Sequence, residues 1–399
     1  MEKIATKIKT FMSEMNPEFI ETLHHLHENP ETAFCEYNTT AYIKDKLQSF
    51  GIEILDIGLE TGVIGLLKGA GEGPCIALRA DIDALPLKEE SSCPYPSRKD
   101  GLMHACGHDI HTASLLGACH ILSLLRDEIK GSVKFIFQPA EEINLGAKKL
   151  MSLNCLENPK VDSIWGIHNS PEIPQGTVAV VNGPIMASVD RITFHIKGKG
   201  GHGGIPQRNA DPIVAAAAVI QAAQTIVSRN ISPLDAAVIS ICNIRAGEGT
   251  TNNVTPEDVT MYGTVRTFNP DIQHLIEQKL TQITKSISEA YGCIGEFTYL
   301  YELPVTKNNE KLYSAAYDSV CSIGATPVNP PPSTGGEDFS IYTAGSDVPG
   351  FFYWLGVRNE EKDCIYPWHS PHFKADENCI AIGAGTYAMS VFQAIKNKT

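Results

Sequence analysis

The chain is 399 residues long, with 43% hydrophobic and 20% charged side chains, a balance that suits two or three folded domains and excludes a disordered chain. Its 46 acidic residues outnumber 32 basic ones and give a net charge of -14. A polyanion would be repelled, so we expect no nucleic-acid partner. The longest nearly apolar stretch, 213–227, is shorter than the ~20 residues of a membrane span, and we expect no membrane partner.

Cysteine usage bears on the cellular compartment. The 11 cysteines are an odd number without any Cys-x-x-Cys pair, which is typical of reduced thiols in a cytosol. The first residues mix charged and apolar side chains at helical spacing and carry no export signal. We therefore expect a cytoplasmic protein that keeps most of its cysteines in the core.

Short β-rich runs alternate with helical runs in the first part of the chain. After two helical segments near the N-terminus, these runs lie at 63–67, 75–80, 132–137 and 162–167. The helical run 111–125 is apolar almost all round, as expected of a crossover helix packed on a sheet. The alternation predicts an α/β fold with a largely parallel sheet, in which ligands bind beyond the carboxyl ends of the strands.

The pattern changes between residues 189 and 304. Its order is βαββαβ, with strands at 190–196, 237–244, 258–268 and 295–301 and helices at 212–228 and 270–291. Asn269 as N-cap, Pro270 at the first helical position and Gly292 at the end mark the second helix. We expect a ferredoxin-like domain at 189–304, inserted into a larger domain made of 1–188 and 305–399.

The densest group of metal-binding residue types lies between residues 104 and 111. Cys106 and His108 are two positions apart and can face the same side of an extended loop, and thiolate and imidazole suit Zn²⁺ and neighbouring divalent ions. His104 and His111 could support these ligands from behind. Asp109 has two open interpretations, as part of this cluster or as the N-cap of a helix that begins near His111.

Further candidate ligands follow other apolar runs. Glu141 and Glu142 come just after a predicted strand; because adjacent side chains diverge, one can bind a metal while the other serves as general base. His168 ends another apolar run, and His369 lies in a Trp-His-Ser-Pro segment. Together the clusters supply about five ligands, too many for one tetrahedral zinc and suited to two metals ~3.5 to 4 Å apart.

Rival chemistries leave weaker traces. The sequence contains no Gly-x-Ser-x-Gly elbow, no phosphate loop ending in Lys-Ser/Thr, and no dinucleotide fingerprint between a strand and a helix. The glycine-rich segment 198–204 is interpreted as a loop that presents His202 to a substrate. Cys106 as a nucleophile would leave the two glutamates, His168 and His369 unexplained.

These motifs resemble those of the dinuclear metal amidohydrolases that include hippurate hydrolase, bacterial N-acyl-amino-acid amidohydrolases and plant auxin-conjugate hydrolases. This branch belongs to the wider family of carboxypeptidase G, aminoacylase and succinyl-diaminopimelate desuccinylase. The resemblance runs over almost the whole chain and is carried by the segments 27–31, 79–86, 103–111, 137–142, 253–256, 337–339 and 369–371.

The resemblance implies roles for nine residues. It implies the metal ligands Cys106, His108, Glu142, His168 and His369, with Glu141 as the general base. In relatives a histidine at the position of His202 reaches the active site of the partner subunit and stabilises the oxyanion; Asn253 and Arg266 would lie near the substrate carboxylate. The outer segments would be the metal-binding catalytic domain and the inserted domain would dimerise, giving a homodimer or a dimer-based oligomer.

The implied reaction is hydrolysis of the amide bond of a small-molecule N-acyl amino acid to a carboxylic acid and a free amino acid. We expect two divalent ions, Zn²⁺ or Mn²⁺ with Co²⁺ as a further option, to lower the pKa of a bridging water from ~16 toward ~7, and Glu141 to take its proton. Ile143 and Leu145 replace a glycine-rich stretch of relatives and are expected to reshape the pocket.

A dipeptidase or carboxypeptidase is the alternative that uses the same metal site. Its substrate carries a free ammonium, which requires a carboxylate placed to receive it. A binding module without activity would have lost ligands, whereas all six metal and base positions are present.

Overall fold

The computed structural model describes residues 1–247, 249 and 251–398, so Thr399, the last residue of the expected larger domain, lies outside the described residues. The chain forms two compact units. The first consists of Met1–Ile185, Lys307–Pro331 and Glu337–Thr399. The second consists of Met186–Thr306 and Pro332–Gly336.

The elements are numbered in chain order. The helices are α1 (Glu2–Glu14), α2 (Asn16–Glu28), α3 (Tyr37–Ser49), α4 (His108–Leu124), α5 (Gly146–Ser152), α6 (Pro212–Arg229), α7 (Pro270–Ala290), α8 (Glu310–Ser322), α9 (Ser340–Ala344) and α10 (Cys379–Lys398). The strands are β1 (Glu53–Leu55), β2 (Val63–Lys68), β3 (Cys75–Asp81), β4 (Ser132–Gln138), β5 (Ser163–Pro174), β6 (Thr177–Ala179), β7 (Pro184–Met186), β8 (Val189–Lys197), β9 (Gly201–His202), β10 (Ala237–Ala246), β11 (Val254–Thr255), β12 (Asp258–Thr267), β13 (Ile294–Leu303), β14 (Thr306–Lys307), β15 (Thr326–Val328) and β16 (Gly350–Arg358).

An eight-stranded sheet organises the first unit, in the order β1-β2-β4-β3-β5-β16-β6-β15. The pairs β3–β4, β3–β5, β5–β16 and β6–β15 are parallel, and the others are antiparallel. Every residue of β3 is buried, as expected of a parallel strand covered on both faces. The predicted α/β class with a largely parallel sheet is confirmed.

Helix α4 covers this sheet and differs in detail from its prediction. Fourteen of its residues are buried, which fits a crossover helix. It begins at His108 because Gly107, with φ 82°, turns the chain into the helix without a side-chain cap. The interpretation of Asp109 as N-cap is therefore wrong, since Asp109 lies in the first turn and bonds His27 instead. Near the N-terminus the chain forms a third helix, α3, in addition to the two predicted.

The second unit contains a four-stranded antiparallel sheet in the order β10-β12-β8-β13. Side chains of α6 and α7 join those of the sheet in one hydrophobic core, and the chain order is βαββαβ, as predicted. Helix α7 begins at Pro270, and the Asn269 side chain accepts the Asp271 N–H at 2.9 Å. Gly292, with φ 73°, follows the end of the helix.

By length and composition, one helix in the described part of the chain, α6, is apolar enough to cross a membrane, with a mean hydropathy of 1.2. Its Ala215, Ala216, Val219, Ala223 and Ile226 are buried in the core of the second unit. This packing accounts for an apolar helix in a folded domain.

The cysteines are all free thiols, and eight of the 11 are buried, in agreement with the expectation that most lie in the core.

Candidate metal centre

The register of three parallel strands brings the candidate residues of the first unit to one edge. Asp81, the last residue of β3, pairs with Gln138 at the end of β4, and Arg79 pairs with Gly166 of β5. His168, two residues beyond Gly166, is therefore level with Asp81. Glu141 and Glu142 follow the end of β4, so the sheet itself assembles side chains from distant parts of the sequence.

Six predicted residues of the first unit converge there. Three groups have ligand atoms that all lie within 4.8 Å of one another: Cys106, His108 and His168; Cys106, Glu142 and His369; and His108, Glu141 and Glu142. Two donors of one tetrahedral zinc are separated by about 3.3–3.6 Å. The Cys106 Sγ to His168 Nε2 distance is 3.5 Å, and the His369 Nε2 to Glu142 Oε2 distance is 3.4 Å.

His168 is held in a tautomer that leaves one nitrogen free. Its Nδ1 donates to the Asn169 carbonyl oxygen at 2.7 Å, so Nε2 keeps its lone pair and faces Cys106. Burial, and after it the neighbouring His111, hold the pKa of His168 well below its ordinary value. The ring is therefore neutral at neutral pH, which is the form that binds metals.

His108 is fully buried among carboxylates. Its Nδ1 lies 3.4 Å from Asp83, and its Nε2 lies 3.8 Å from Asp81 and from Glu142. Neither ring nitrogen makes a hydrogen bond in the described part of the chain. Burial lowers the pKa of His108, but Asp81 and the Cys106 sulfur raise it by a larger amount. The net pKa is well above the ordinary value of a histidine. The surroundings of this ring therefore favour positive charge.

The environments of Glu141 and Glu142 shift the pKa values of the two carboxyl groups in opposite directions. Burial, followed by the carboxylates of Glu337 and Asp338, raises the pKa of Glu141 well above its ordinary value. Burial also raises the pKa of Glu142, but the hydrogen bond with His369 and the nearby His108 lower it more. Carboxyl groups with pKa values pushed apart in this way can divide acid–base work from the binding of cations.

Asp83 fixes the turn that carries this pair. Its two carboxylate oxygens accept the backbone N–H groups of Glu141 at 3.0 Å and Glu142 at 3.1 Å. The backbone of His369 has φ 60°, a left-handed conformation that is uncommon for residues with a side chain, and its N–H donates to the Ala105 carbonyl at 2.9 Å. The turn after β4 is thus tied to Asp83, and the His369 segment is tied to Ala105, next to Cys106.

Of the two other histidines in the 104–111 cluster, only His111 takes part in this network. Its Nδ1 bonds Asp81 Oδ1 at 2.5 Å, and its Nε2 accepts the Asn169 N–H at 2.8 Å. Both nitrogens of His111 are therefore used, and it supports its neighbours as expected. His104 is buried, and neither of its ring nitrogens has a hydrogen-bond partner in residues 1–247, 249 and 251–398.

Residue-by-residue reasoning gave no role to Asp81, Asp83 and Asn169, which the structure places in direct contact with the candidate ligands. The available signal was the alternation of Arg79, Asp81 and Asp83 at the end of an apolar run. In a strand, positions two apart point to the same side. A charged triplet with this spacing at the end of a buried strand indicates a polar site.

The other three predicted residues lie in the second unit. Val254 of β11 pairs with His202 of β9, and the Asn253 carbonyl accepts the Gly203 N–H at 2.8 Å, so His202 and Asn253 are close. The His202 side chain is exposed and its Nδ1 accepts the Gly204 N–H at 2.9 Å. Arg266 lies on β12, half buried, and donates to the Val265 carbonyl at 3.0 Å and to Thr264 Oγ1.

The fold and this cluster define a metal-dependent hydrolase. The chain belongs to the peptidase family M20/M25/M40, whose model matches residues 77–393. The family predicted from the motifs is confirmed, and with it the class of enzyme, a hydrolase of amide bonds.

Similar proteins span almost the full length of the chain. An N-acetylcysteine deacetylase of Bacillus subtilis is 45% identical over 364 residues, 91% of this chain and 93% of the relative. A thermostable carboxypeptidase 2 of Saccharolobus solfataricus is 37% identical, covering 97% of this chain and 98% of the relative. A crystal structure of the Bacillus subtilis YXEP protein, described as a dinuclear metal-binding peptidase of the M20 family, superimposes with a TM-score of 0.86 at 39% identity, covering 96% of this chain and 99% of the other.

Proposed function

We propose that the protein hydrolyses the amide bond of N-acyl amino acids with the help of two divalent cations. The ligands would be Cys106, His108, Glu142, His168 and His369. The observation that carries the proposal is that these five side chains form two groups of three, each with ligand atoms within 4.8 Å, and that the groups share Cys106. Five donors exceed the four of one tetrahedral zinc and suit a pair of ions.

The donor set fits cations chemically. Both ring nitrogens of His108 and Oε1 of Glu142 are buried without a hydrogen-bond partner in the described part of the chain, and polar atoms buried in this way are costly unless a ligand pairs with them. When bound, the cations supply Lewis-acid polarisation of a carbonyl and lower the pKa of water from ~16 toward ~7. The deacetylase and the dinuclear peptidase among the similar proteins support the same interpretation.

Glu141 moves the proton in this proposal. Its raised pKa lets the carboxylate accept a proton from the attacking water and then return it to the leaving nitrogen of the amide. Its Oε1 also lies 3.4 Å from the Asp338 N–H, a contact that orients the carboxyl group. Glu142, whose pKa is lowered, remains an anion that holds a cation.

The second unit would supply groups that recognise the substrate. Because Nδ1 of His202 accepts the Gly204 N–H, the neutral ring carries its proton on Nε2 and can donate it to an oxyanion. Arg266 would meet the carboxylate of the amino acid and Asn253 its polar atoms. We further propose that the protein is a homodimer or dimer-based oligomer in which His202 serves the partner subunit.

The acyl group would lie near Ile143 and Leu145. These side chains are 48% and 45% exposed directly after the two glutamates, which favours acyl groups with an apolar part.

The metal is proposed to be Zn²⁺ or Mn²⁺, with Co²⁺ as a substitute, because thiolate favours zinc while carboxylates suit manganese. Eleven free cysteines support a cytoplasmic location.

A substrate panel tests the proposal. Acetyl, benzoyl and indole-acyl amino acids are compared with free dipeptides, before and after chelation and after Zn²⁺, Mn²⁺ or Co²⁺ is added back. We expect turnover of the acylated amino acids that is lost on chelation and restored by metal. Faster cleavage of dipeptides would favour the peptidase alternative, to which the carboxypeptidase relative points.

A matched pair of variants tests the roles of the residues. Glu141→Gln should keep its metal content and lose about 10²–10⁴-fold in kcat, whereas Glu172→Gln, an exposed position on β5, should leave both unchanged. Near-normal turnover by Glu141→Gln would refute its role. Mixing inactive His202→Ala with inactive Glu141→Gln subunits should restore part of the activity if His202 acts across a dimer.

A further inference from the structure

A long irregular segment joins β3 to helix α4. Residues 86–102 form no helix or strand, and the loop is closed at its base by paired backbone hydrogen bonds of 3.0 and 3.1 Å between Leu85 and Met103. Loops of this length without secondary structure are uncommon in compact domains and are usually either functional or disordered. The contacts that hold its middle are therefore of interest.

Three potential metal ligands meet inside this loop. The ligand atoms of His27, from α2, and of Glu89 and Cys93, from the loop, all lie within 4.8 Å of one another. The His27 and Glu89 side chains are only 8% and 6% exposed, and Cys93 is a buried free thiol. Imidazole, carboxylate and thiolate are the three side-chain ligand types that Zn²⁺ takes in proteins.

The surroundings orient these groups as they would around an ion. His27 Nδ1 bonds Asp109 Oδ2 at 2.6 Å, the carboxylate–histidine arrangement that fixes the ring of a metal-binding histidine and directs its other nitrogen toward the metal. Glu89 is held by two hydrogen bonds: its Oε1 accepts the Ser91 hydroxyl at 2.5 Å and its Oε2 accepts the Ser97 N–H at 2.7 Å. These bonds fix the orientations of both side chains, whose ligand atoms lie within 4.8 Å of the Cys93 sulfur.

The distances on the two sides of His27 differ in an informative way. A charge-assisted hydrogen bond between nitrogen and oxygen is about 2.7–2.9 Å long, and the contact with Asp109 is of this direct kind. The hydrogen bond between His27 Nε2 and Glu89 Oε1 is longer, at 3.3 Å. It falls in the range of about 3.3–3.5 Å expected for nitrogen and oxygen ligands of one tetrahedral zinc ion.

We infer that His27, Glu89 and Cys93 form a further zinc site that holds the 86–102 loop. Water would complete the tetrahedron. The ion would tie the loop to α2 and, through His27 and Asp109, to the first turn of α4, where Asp109 follows His108. Cross-links that close long loops stabilise the folded state by reducing the entropy of the unfolded chain. The site shares no ligand with the proposed catalytic centre, so it stands whether or not that proposal holds.

Metal counting tests this inference directly. The purified wild-type protein, Cys93→Ser and Glu89→Gln are saturated with Zn²⁺, freed of excess metal and analysed for zinc per subunit, with circular dichroism to check folding. Both variants should bind one ion fewer than the wild type. The control Cys321→Ser, which removes an exposed thiol on α8, should bind as many ions as the wild type.

A spectroscopic measurement separates this site from the other thiolate cluster. Cys106→Ser loaded with Co²⁺ should retain a thiolate-to-cobalt charge-transfer band, and adding Cys93→Ser should abolish it. Equal zinc content in the wild type and in both folded loop variants would overturn the inference and leave a protonated His27 between Asp109 and Glu89. A cobalt band that survives loss of Cys93 would overturn it as well.

Discussion

Nη2 of Arg79 donates a 2.8 Å hydrogen bond to Oδ1 of Asp338, a residue 259 positions further along the chain. The same guanidinium contacts Asp81 at 2.8 Å and Glu337 at 3.0 Å, and none of these four side chains is more than 1% exposed. One buried cation therefore balances three carboxylates beneath the candidate site. It also connects β3 to the segment whose carboxylates raise the pKa of Glu141.

Replacing Arg79 with Met should be strongly destabilising. The variant leaves three carboxylates buried without their cation, and loss of one partner from a buried ion pair costs about 3–5 kcal/mol. Urea unfolding of the metal-free protein measures the change in free energy. Arg98→Met is the control, because Arg98 is 69% exposed and pairs with Glu28 at 2.8 Å, an arrangement worth at most about 1 kcal/mol. Similar small losses for both variants would contradict the interpretation.

The architecture of the second unit could be predicted because its signals are local. Asn269, Pro270 and Gly292 mark the ends of α7 by their own side chains and backbone preferences, and the apolar spacing between them gives the buried face. The order βαββαβ follows from such segments without knowledge of their partners. The short strands β6 and β15 carry no comparable pattern, since each contributes three residues whose place depends on neighbours distant in sequence.

The cap of α7 gives a prediction of its own. Asn269→Ala removes the acceptor of the Asp271 N–H and should lower the free energy of unfolding by about 1 kcal/mol. Asn230→Ala is the matched control, since Asn230 lies at the C-terminal end of α6 and is exposed. Denaturant titration followed by circular dichroism distinguishes the two. An equal effect of both changes would show that the cap contributes nothing.

The site was less predictable than the fold. Cys106, His108 and the two glutamates lie in short segments rich in metal-binding residue types, so the sequence alone identifies them. The contacts of Asp81 and Asp83 with these residues depend on β3 lying between β4 and β5. That adjacency is a property of the sheet, not of the segment 79–86. Glu31 belongs to a segment that carries the resemblance, but its role became visible only in the structure, where its carboxylate meets the first turn of α3.

Glu31 should make stability depend on pH. Its carboxylate accepts Asn38 Nδ2–H at 2.6 Å and the Thr39 N–H at 2.9 Å in the first turn of α3. Burial raises the pKa of Glu31, but these hydrogen bonds lower it by a larger amount. The net pKa is below the ordinary value of a glutamate. A carboxyl group with a lowered folded-state pKa stabilises the fold above its unfolded pKa, and this contribution is lost as the pH falls through the folded pKa.

Glu31→Gln should therefore cost about 1–3 kcal/mol at pH 7, and the difference from the wild type should shrink as the pH is lowered below about 4. Urea unfolding at a series of pH values measures this difference. The exposed Glu60 provides a control, Glu60→Gln, for the loss of one negative charge. A difference that stays constant between pH 7 and pH 3 would show that the charge of Glu31 is not what stabilises α3.

His111 offers a test of the network that positions the proposed metal ligands. Its ring joins Asp81 to the backbone N–H of Asn169, next to His168. His111→Leu replaces the polar ring with an apolar side chain of similar size and removes both bonds, so Asp81 and His168 lose a common support. Because groups that orient metal ligands typically change metal affinity by about 10–100-fold, we expect Zn²⁺ affinity to fall by that factor, measured by competition with a chelator.

The control is the same substitution on the same helix. His120 lies on α4, is 25% exposed and stacks on Phe50 at 4.3 Å, so His120→Leu should leave Zn²⁺ affinity unchanged. Far-ultraviolet circular dichroism establishes that both variants are folded. If folded His111→Leu bound Zn²⁺ as tightly as His120→Leu, the hydrogen bonds of His111 would serve the packing of α4 on the sheet, and the cations would depend on their direct ligands alone.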